Sequence, residues 1–207
     1  MEKATSRYER ALNSERVAVD YLMNSRGLTK ETIQEFRLGV VADPLPGHEH
    51  VRGWISIPYL TPDDSVVSLR FRRLGDGGGS KYLSIAGDAP RLFNAKILNR
   101  GDLTWMCTPE GEFDAMIAVQ CGVPAVGIPG AQSWQRRWYR LFTHYNLVCG
   151  LHDDDEAGRD LAHKIAESLD NFRPVPMTAP APGVKGDVTN LVLHQGPDAL
   201  RKKLVIA

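Results

Sequence analysis

Apolar and polar positions change their spacing twice along the chain. Near the start, Val17, Val19, Tyr21 and Leu22 predict a helix from about 13 to 26, opened by Ser14 as a cap and ended by Gly27. ETIQEF after Thr29 predicts a second, short helix, and Asp43-Pro-Leu-Pro-Gly a loop. The period then shortens. WISIPYL and SVVSLRFRR are rich in β-branched and apolar residues and flank Thr61-Pro-Asp-Asp, which reads as a hairpin turn. KYLSI adds a strand after the flexible Gly75-Asp-Gly-Gly-Gly run. Beyond Gly101 strand and helix alternate: TWMCT, EFDAMIAVQCG, PAVGI, a helix from about Ser133 to His144, NLVCGL, EAGRDLAHKIAESL and RPVPM. A helix-compatible segment runs from Val188 to the C-terminus. This alternation predicts an α/β half with parallel strands joined by right-handed crossovers.

A length of 207 residues fits two packed subdomains, and 43% apolar with 24% charged residues is an ordinary folded composition. No run approaches the roughly 18 apolar residues that span a bilayer, and MEKATSRYERALNSER is too charged for a secretion signal, so a cytoplasmic protein is expected. Cys107, Cys121 and Cys149 lack zinc-site spacing and read as buried free thiols. Zero net charge argues against nucleic-acid binding by bulk charge. Distribution matters more: residues 51–100 hold 8 Lys+Arg against 4 Asp+Glu. Strand alternation puts Arg70 and Arg72 on one face and Arg73 away from it or at the strand end.

Ligands of open α/β sheets bind beyond the carboxyl ends of the strands. Glu110 follows TWMCT, and Asp153, Asp154 and Asp155 follow NLVCGL. On neighbouring strands these carboxylates would share a small volume, with no compensating cation close by in sequence, and their repulsion calls for a divalent ion. Magnesium suits carboxylate and water oxygens. Taken alone, each acidic run reads equally as a helix N-terminus, where acids cap free amides. The combination favours chemistry: an acid after one buried strand, DxD after another, each leading through a glycine into a helix.

EGEFDAM resembles the Glu-Gly-x-x-Asp motif of the TOPRIM domain, and DDDEAGRDLA resembles its Asp-x-Asp-x-Ala-Gly motif as found in DnaG-type primases. IPGAQSW is similar to the loop after the second TOPRIM strand, and KGDVTNLV to the late acidic motif. Upstream, YLMNSRGLTKETIQEFRLGVV, RGWISIPYL, VVSLRFRRL, KYLS and RLFNAK follow the order of the DnaG polymerase core. The resemblance, which extends to phage-encoded primases, implies a TOPRIM-type parallel sheet flanked by helices and preceded by a smaller α+β basic subdomain. The expected divisions are 1–100, 101–182 for the TOPRIM domain, and 183–207 for the late acidic motif and C-terminal helical segment. By position it implies Glu110, Asp114, Asp153 and Asp155 as catalytic residues, and Glu110, Asp153, Asp155 and Asp187 as ligands of Mg2+ or Mn2+. Arg52, Arg73, Lys81 and Lys96 match residues that hold template and nucleotide phosphates. Two positions depart from the family pattern. Thr189 stands where DnaG primases usually carry a second aspartate, and Asp154 replaces a glycine and is expected to be solvated.

The implied reaction is RNA primer synthesis from ribonucleoside triphosphates on single-stranded DNA. TOPRIM domains also serve other reactions, so a TOPRIM nuclease and a catalytically reduced DNA- or partner-binding replication protein remain open. No Cys/His zinc module and no G-x-x-x-x-G-K-[ST] loop occurs in the sequence. A replicative helicase or a separate zinc-module protein is therefore the expected partner, in the bacterial host cytoplasm if the gene is carried by a phage.

Overall fold

In the computed structural model, which describes residues 1–75 and 77–204, Ala4, Tyr8 and Leu12 bury one side of an N-terminal helix, α1 (Glu2–Leu12), that the sequence reading did not anticipate. The helix expected over 13–26 is divided. Ser14 turns its hydroxyl back to the Ala11 carbonyl at 3.1 Å instead of capping, α2 spans Arg16–Asp20, and a π-turn covers Tyr21–Ser25. Thr29 does cap α3 (Lys30–Glu35), accepting the Thr32 N–H at 3.2 Å.

Four strands follow, β1 (Gly39–Val40), β2 (Ile55–Leu60), β3 (Val66–Arg72) and β4 (Tyr82–Ser84), antiparallel and adjacent in that order. Ile55 faces Arg72 and Pro58 faces Leu69 across the central pair. Gly39 lets β1 lie directly on α1, since a Cβ there would collide with the backbone of Tyr8 and Glu9. Tyr8 is fully buried, its hydroxyl bonded to His48 Nδ1 at 2.8 Å and accepting the Leu45 N–H at 3.0 Å. With Ala4, Val41, Val51, Leu69 and Phe71 it forms the core of this unit. Arg70 and Arg72 share a face, and both guanidinium groups lie over the Tyr82 ring, at 4.7 and 4.8 Å.

The second unit carries a parallel sheet of β5 (Trp105–Pro109), β6 (Leu147–Asp153) and β7 (Phe172–Met177), with Cys107 beside Cys149 and Cys149 beside Arg173. Helix α4 (Glu112–Gln120) follows β5, α5 (Glu156–Ala166) follows β6, and α6 (Val188–Gln195) and α7 (Pro197–Lys203) close the chain. The expected strand PAVGI is reduced to isolated bridges, two of them parallel and on the far side of β5, Cys107 with Ala125 and Glu110 with Ile128, and one antiparallel, Gly127 with Phe93. The helix expected over 133–144 is a shorter 3-10 helix, Arg136–Leu141. Met106, Val126, Ile128, Val148, Leu161 and Ile165 fill the space between sheet and helices. All three cysteines are buried and unpaired.

The chain divides at Ala89/Pro90 rather than at 100/101. Leu92 and Phe93 are buried in the second unit, Phe93 bridges Gly127, and the Asn94 side chain donates to the Ala125 carbonyl at 2.8 Å. The segment from 183 onward belongs to the second unit as well. Arg91, Lys96 and Arg100 therefore leave the first unit, whose residues 1–89 carry 12 Lys+Arg against 12 Asp+Glu. Basic character there is a matter of placement, not of net charge. Asp76, within the expected glycine-rich run, and 205–207, at the end of the expected C-terminal helix, lie outside the described residues.

Candidate active site

Glu110 is held by backbone before its side chain does anything. Its N–H donates to the Leu151 carbonyl of β6 at 3.2 Å, and it bridges Ile128 on the other side. Gly111, at φ 105°, makes the turn from β5 into α4, a conformation that favours glycine. Asp153 ends β6 and is buried. The two acids thus sit at the carboxyl ends of adjacent parallel strands, where the topology rule places a site.

The glycine of the second acidic motif has a steric reason. A Cβ on Gly158 would collide with the Asp153 carbonyl, so only glycine lets α5 start against the end of β6. Asp155 caps that helix, its Oδ1 accepting the Gly158 N–H at 2.8 Å. Asp154 is exposed and pairs with Arg159 at 3.4 Å, in keeping with a solvated place. Gly186 has a comparable role: a Cβ would strike the Met177 carbonyl, and its absence brings Lys185 and Asp187 beside the end of β6.

Lys185 is the residue that sequence reasoning missed. Its ammonium forms an ion pair with Asp153 Oδ2, so the acids do have a compensating cation, contrary to expectation. The signal was present in KGDVTNLV, two positions before Asp187. Asp187 caps α6, accepting the Asn190 N–H at 2.6 Å and the Asn190 side-chain amide at 3.1 Å. Asp114, on the first turn of α4, accepts from both the Thr189 N–H at 2.9 Å and the Thr189 hydroxyl at 2.6 Å. Thr189 is therefore a clasp between α4 and α6, where the family pattern has an acid.

Burial, followed by the charge of Asp153, raises the Glu110 carboxyl to a pKa of about 7; Lys185 pulls it back and Asp155 pushes it further. Burial also raises Asp153 against the opposing pull of Lys185. Asp114 is raised by burial and then by Asp187, while Thr189 holds it down. Among the described residues Lys185 faces this group of mutually repelling carboxylates. Glu110 Oε2 is buried without a hydrogen-bond partner among the described residues. Such hard, crowded oxygens fit Mg2+ or Mn2+ in chemistry. They do not form a finished cage, since no three Asp, Glu, His or Cys side chains among the described residues are gathered as a ready-made ion site.

The expected phosphate-binding residues fall in both units. Arg52 is exposed and donates to the Ala42 carbonyl at 2.8 Å. Arg73, just past β3, donates to the carbonyls of Gly77 and Gly78 and lies over Trp54 at 5.9 Å. Its N–H donates to the carbonyl of exposed Lys81 at 3.1 Å, which sets these two side by side at the β3–β4 edge. Lys96 sits on a 3-10 helix, Ala95–Asn99, of the second unit.

A parallel sheet with a strand-end glutamate, an Asp-x-Asp turn and a late acid defines the TOPRIM arrangement, and the description "Toprim-like" fits residues 107–188. The chain belongs to the same family as the gene 57 protein of Mycobacterium phage D29. It is 41% identical to that protein over 157 residues, a match covering 74% of this chain and 99% of the phage protein. Among solved structures it resembles the RNA polymerase domain of Mycobacterium tuberculosis primase DnaG, with a TM-score of 0.78 at 21% identity over 99% of this chain and 81% of that one. The DnaG primase catalytic domain bound to ssDNA matches with a TM-score of 0.74 at 22% identity over 98% and 78%. The fold is that of the DnaG catalytic core. Among the described residues no helix is long and apolar enough to cross a membrane.

Proposed function

We propose that this protein is a primase-type nucleotidyltransferase that extends RNA primers on single-stranded DNA. The observation that carries the reading is the pairing of Glu110 and Asp153 at adjacent strand ends, with a buried Glu110 oxygen left without a hydrogen-bond partner. In this reaction a primer 3′-hydroxyl attacks the α-phosphorus of a ribonucleoside triphosphate, a P–O bond forms, and pyrophosphate leaves. Glu110, Asp153, Asp155 and Asp187 would hold Mg2+ or Mn2+, which when bound polarises the reacting oxygens and neutralises phosphate charge. Glu110, with its carboxyl poised near neutral pH, is suited to take up the proton of the attacking hydroxyl. Lys185 holds Asp153 in place and opposes the upward push that burial gives its carboxyl. Arg73 and Lys81 at the β3–β4 edge, with Arg52 and Lys96, are assigned to template and nucleotide phosphates. The single-stranded DNA named with one structural relative supports that template class. A replicative helicase or a zinc-module protein is the partner proposed to supply template.

Thr189 favours one competing reading, a catalytically reduced protein that binds DNA or a replication partner, because it commits the position of a family acid to a structural clasp. One assay separates the readings. Purified protein is incubated with single-stranded template, labelled ribonucleotides and Mg2+ or Mn2+. Primers that vanish in Asp153→Asn support the proposal; cleaved template points to a nuclease, and binding without turnover to the reduced protein.

A further inference from the structure

Between Asp114 and Asp153 the chain contains no Asp or Glu, and its only Lys or Arg residues are Arg136, Arg137 and Arg140. In a chain of zero net charge that segregation is local and one-signed. All three arginines lie on the 3-10 helix Arg136–Leu141 and are exposed. Residues three apart eclipse one another in such a helix, so Arg137 and Arg140 project from one edge, with Arg136 beside them.

The ridge is mounted on aromatics. Trp138 and Phe142 are buried beneath it, and Trp134 meets Trp138 edge-on at 5.8 Å and Phe142 at 6.0 Å. The Trp134 indole N–H donates to Ser168 Oγ at 3.3 Å, which fixes the ring. Trp134 remains partly exposed and lines an open cleft with Arg136, Lys164, Glu167 and Ser168. Glu167 is the one acid in that lining, and it has His163 at 3.4 Å. A fixed aromatic face beside a row of exposed cations, of which Arg140 also lies over the Tyr139 ring at 5.9 Å, meets the two demands of a single-stranded polynucleotide, a surface for base stacking and charge for phosphates.

We propose that Trp134, Arg136, Arg137 and Arg140 form a second binding surface for a single strand, separate from the acids. Helix α5 measures the separation: it starts beside Asp153 and Asp155, and Lys164 near its far end lines the cleft. Its 11 residues span about 16 Å. A strand engaged there is held on the second unit independently of any metal.

The surface is tested in EDTA, with short fluorescent oligonucleotides of DNA and of RNA and a salt titration. Replacing all three arginines by glutamine removes up to three phosphate contacts, so the slope of log affinity against log salt falls by about 2, from roughly 0.7 per contact on a single strand. Affinity at moderate salt falls by about tenfold or more, and the Arg→Lys triple variant restores the slope. Trp134→Phe removes part of the tryptophan quenching seen on binding. Glu110→Gln changes none of these readouts, so loss of primer synthesis there bears on the proposed function alone. Tighter binding of DNA or of RNA identifies which strand occupies the surface. An unchanged slope and affinity in the folded glutamine variant overturn the proposal, as does capture of polyglutamate by the ridge with no effect on either oligonucleotide.

Discussion

Lys185 closes an ion pair on Asp153 from the loop before α6, so a cation of the protein's own already stands among the acids. The pair is unequal: the Asp153 side chain is 8% exposed and that of Lys185 57%. The lysine can withdraw into solvent, whereas the carboxylate cannot.

Lys185→Ala should therefore tighten Mn2+ binding, by roughly tenfold or about 1.4 kcal/mol, because a competing positive charge is gone. The same change should lower the stability of metal-free protein by about 1–3 kcal/mol, since it leaves the buried Asp153 carboxyl without its partner. Calorimetric titration checks both, with a thermal melt of the same samples. Weaker Mn2+ binding would show that Lys185 holds the site open.

Glu110 should make metal-free protein less stable as pH rises. Its folded pKa of about 7 lies above the ordinary 4.5, so the native state binds the extra proton between those values. The contribution is favourable below the unfolded pKa and is lost as pH climbs through the folded one. After allowing for solvent access it amounts to about 1–2 kcal/mol. Glu110→Gln should reduce the loss of unfolding free energy from about pH 5 to about pH 8 by that amount in urea denaturation, and an equal loss in both proteins would refute the assignment.

Thr189→Val removes both a hydroxyl and one of the two bonds that hold Asp114, and should cost about 1–3 kcal/mol in urea denaturation. Thr189→Ser should cost far less. Thr189→Asp, which restores the family acid, should be the least stable of the three without metal and should regain stability in Mn2+, because it sets a second carboxylate against Asp114.

Gly158→Ala places a methyl group where the Asp153 carbonyl lies. It should destabilise the protein by about 1–3 kcal/mol and shift the start of α5, impairing metal binding more than Ala157→Gly does. Parallel melts and Mn2+ titrations of the two variants test this, and equal effects would mean that the close approach is dispensable.

Much of this was legible in the sequence, because apolar runs bounded by acids and glycines mark both the strands and their ends. β2, β3, β5, β6 and β7 and the helices α4 and α5 all lie where the pattern puts them. What escaped was non-local. α1 hides its Ala4, Tyr8, Leu12 stripe among charges that face solvent, and its partner Gly39 is distant in sequence. PAVGI makes only bridges, a distinction no propensity encodes. The division at 89/90 depends on Phe93 and Asn94 reaching the 125–127 backbone. Lys185 reaches Asp153 only through the tight passage of Gly186 past Met177, which is invisible until the chain is folded.

The amide of Glu110, not its carboxylate, ties β5 to Leu151 at 3.2 Å, while Asp155 and Asp187 spend side-chain oxygens on capping α5 and α6. The acids are thus unequal as tools. A glutamine at 110 removes the titratable group without loosening the scaffold, which makes it the variant to crystallise with template and nucleotide as a test of the proposed reaction, whereas neutralising either capping aspartate would blur the very helices that such a snapshot must record.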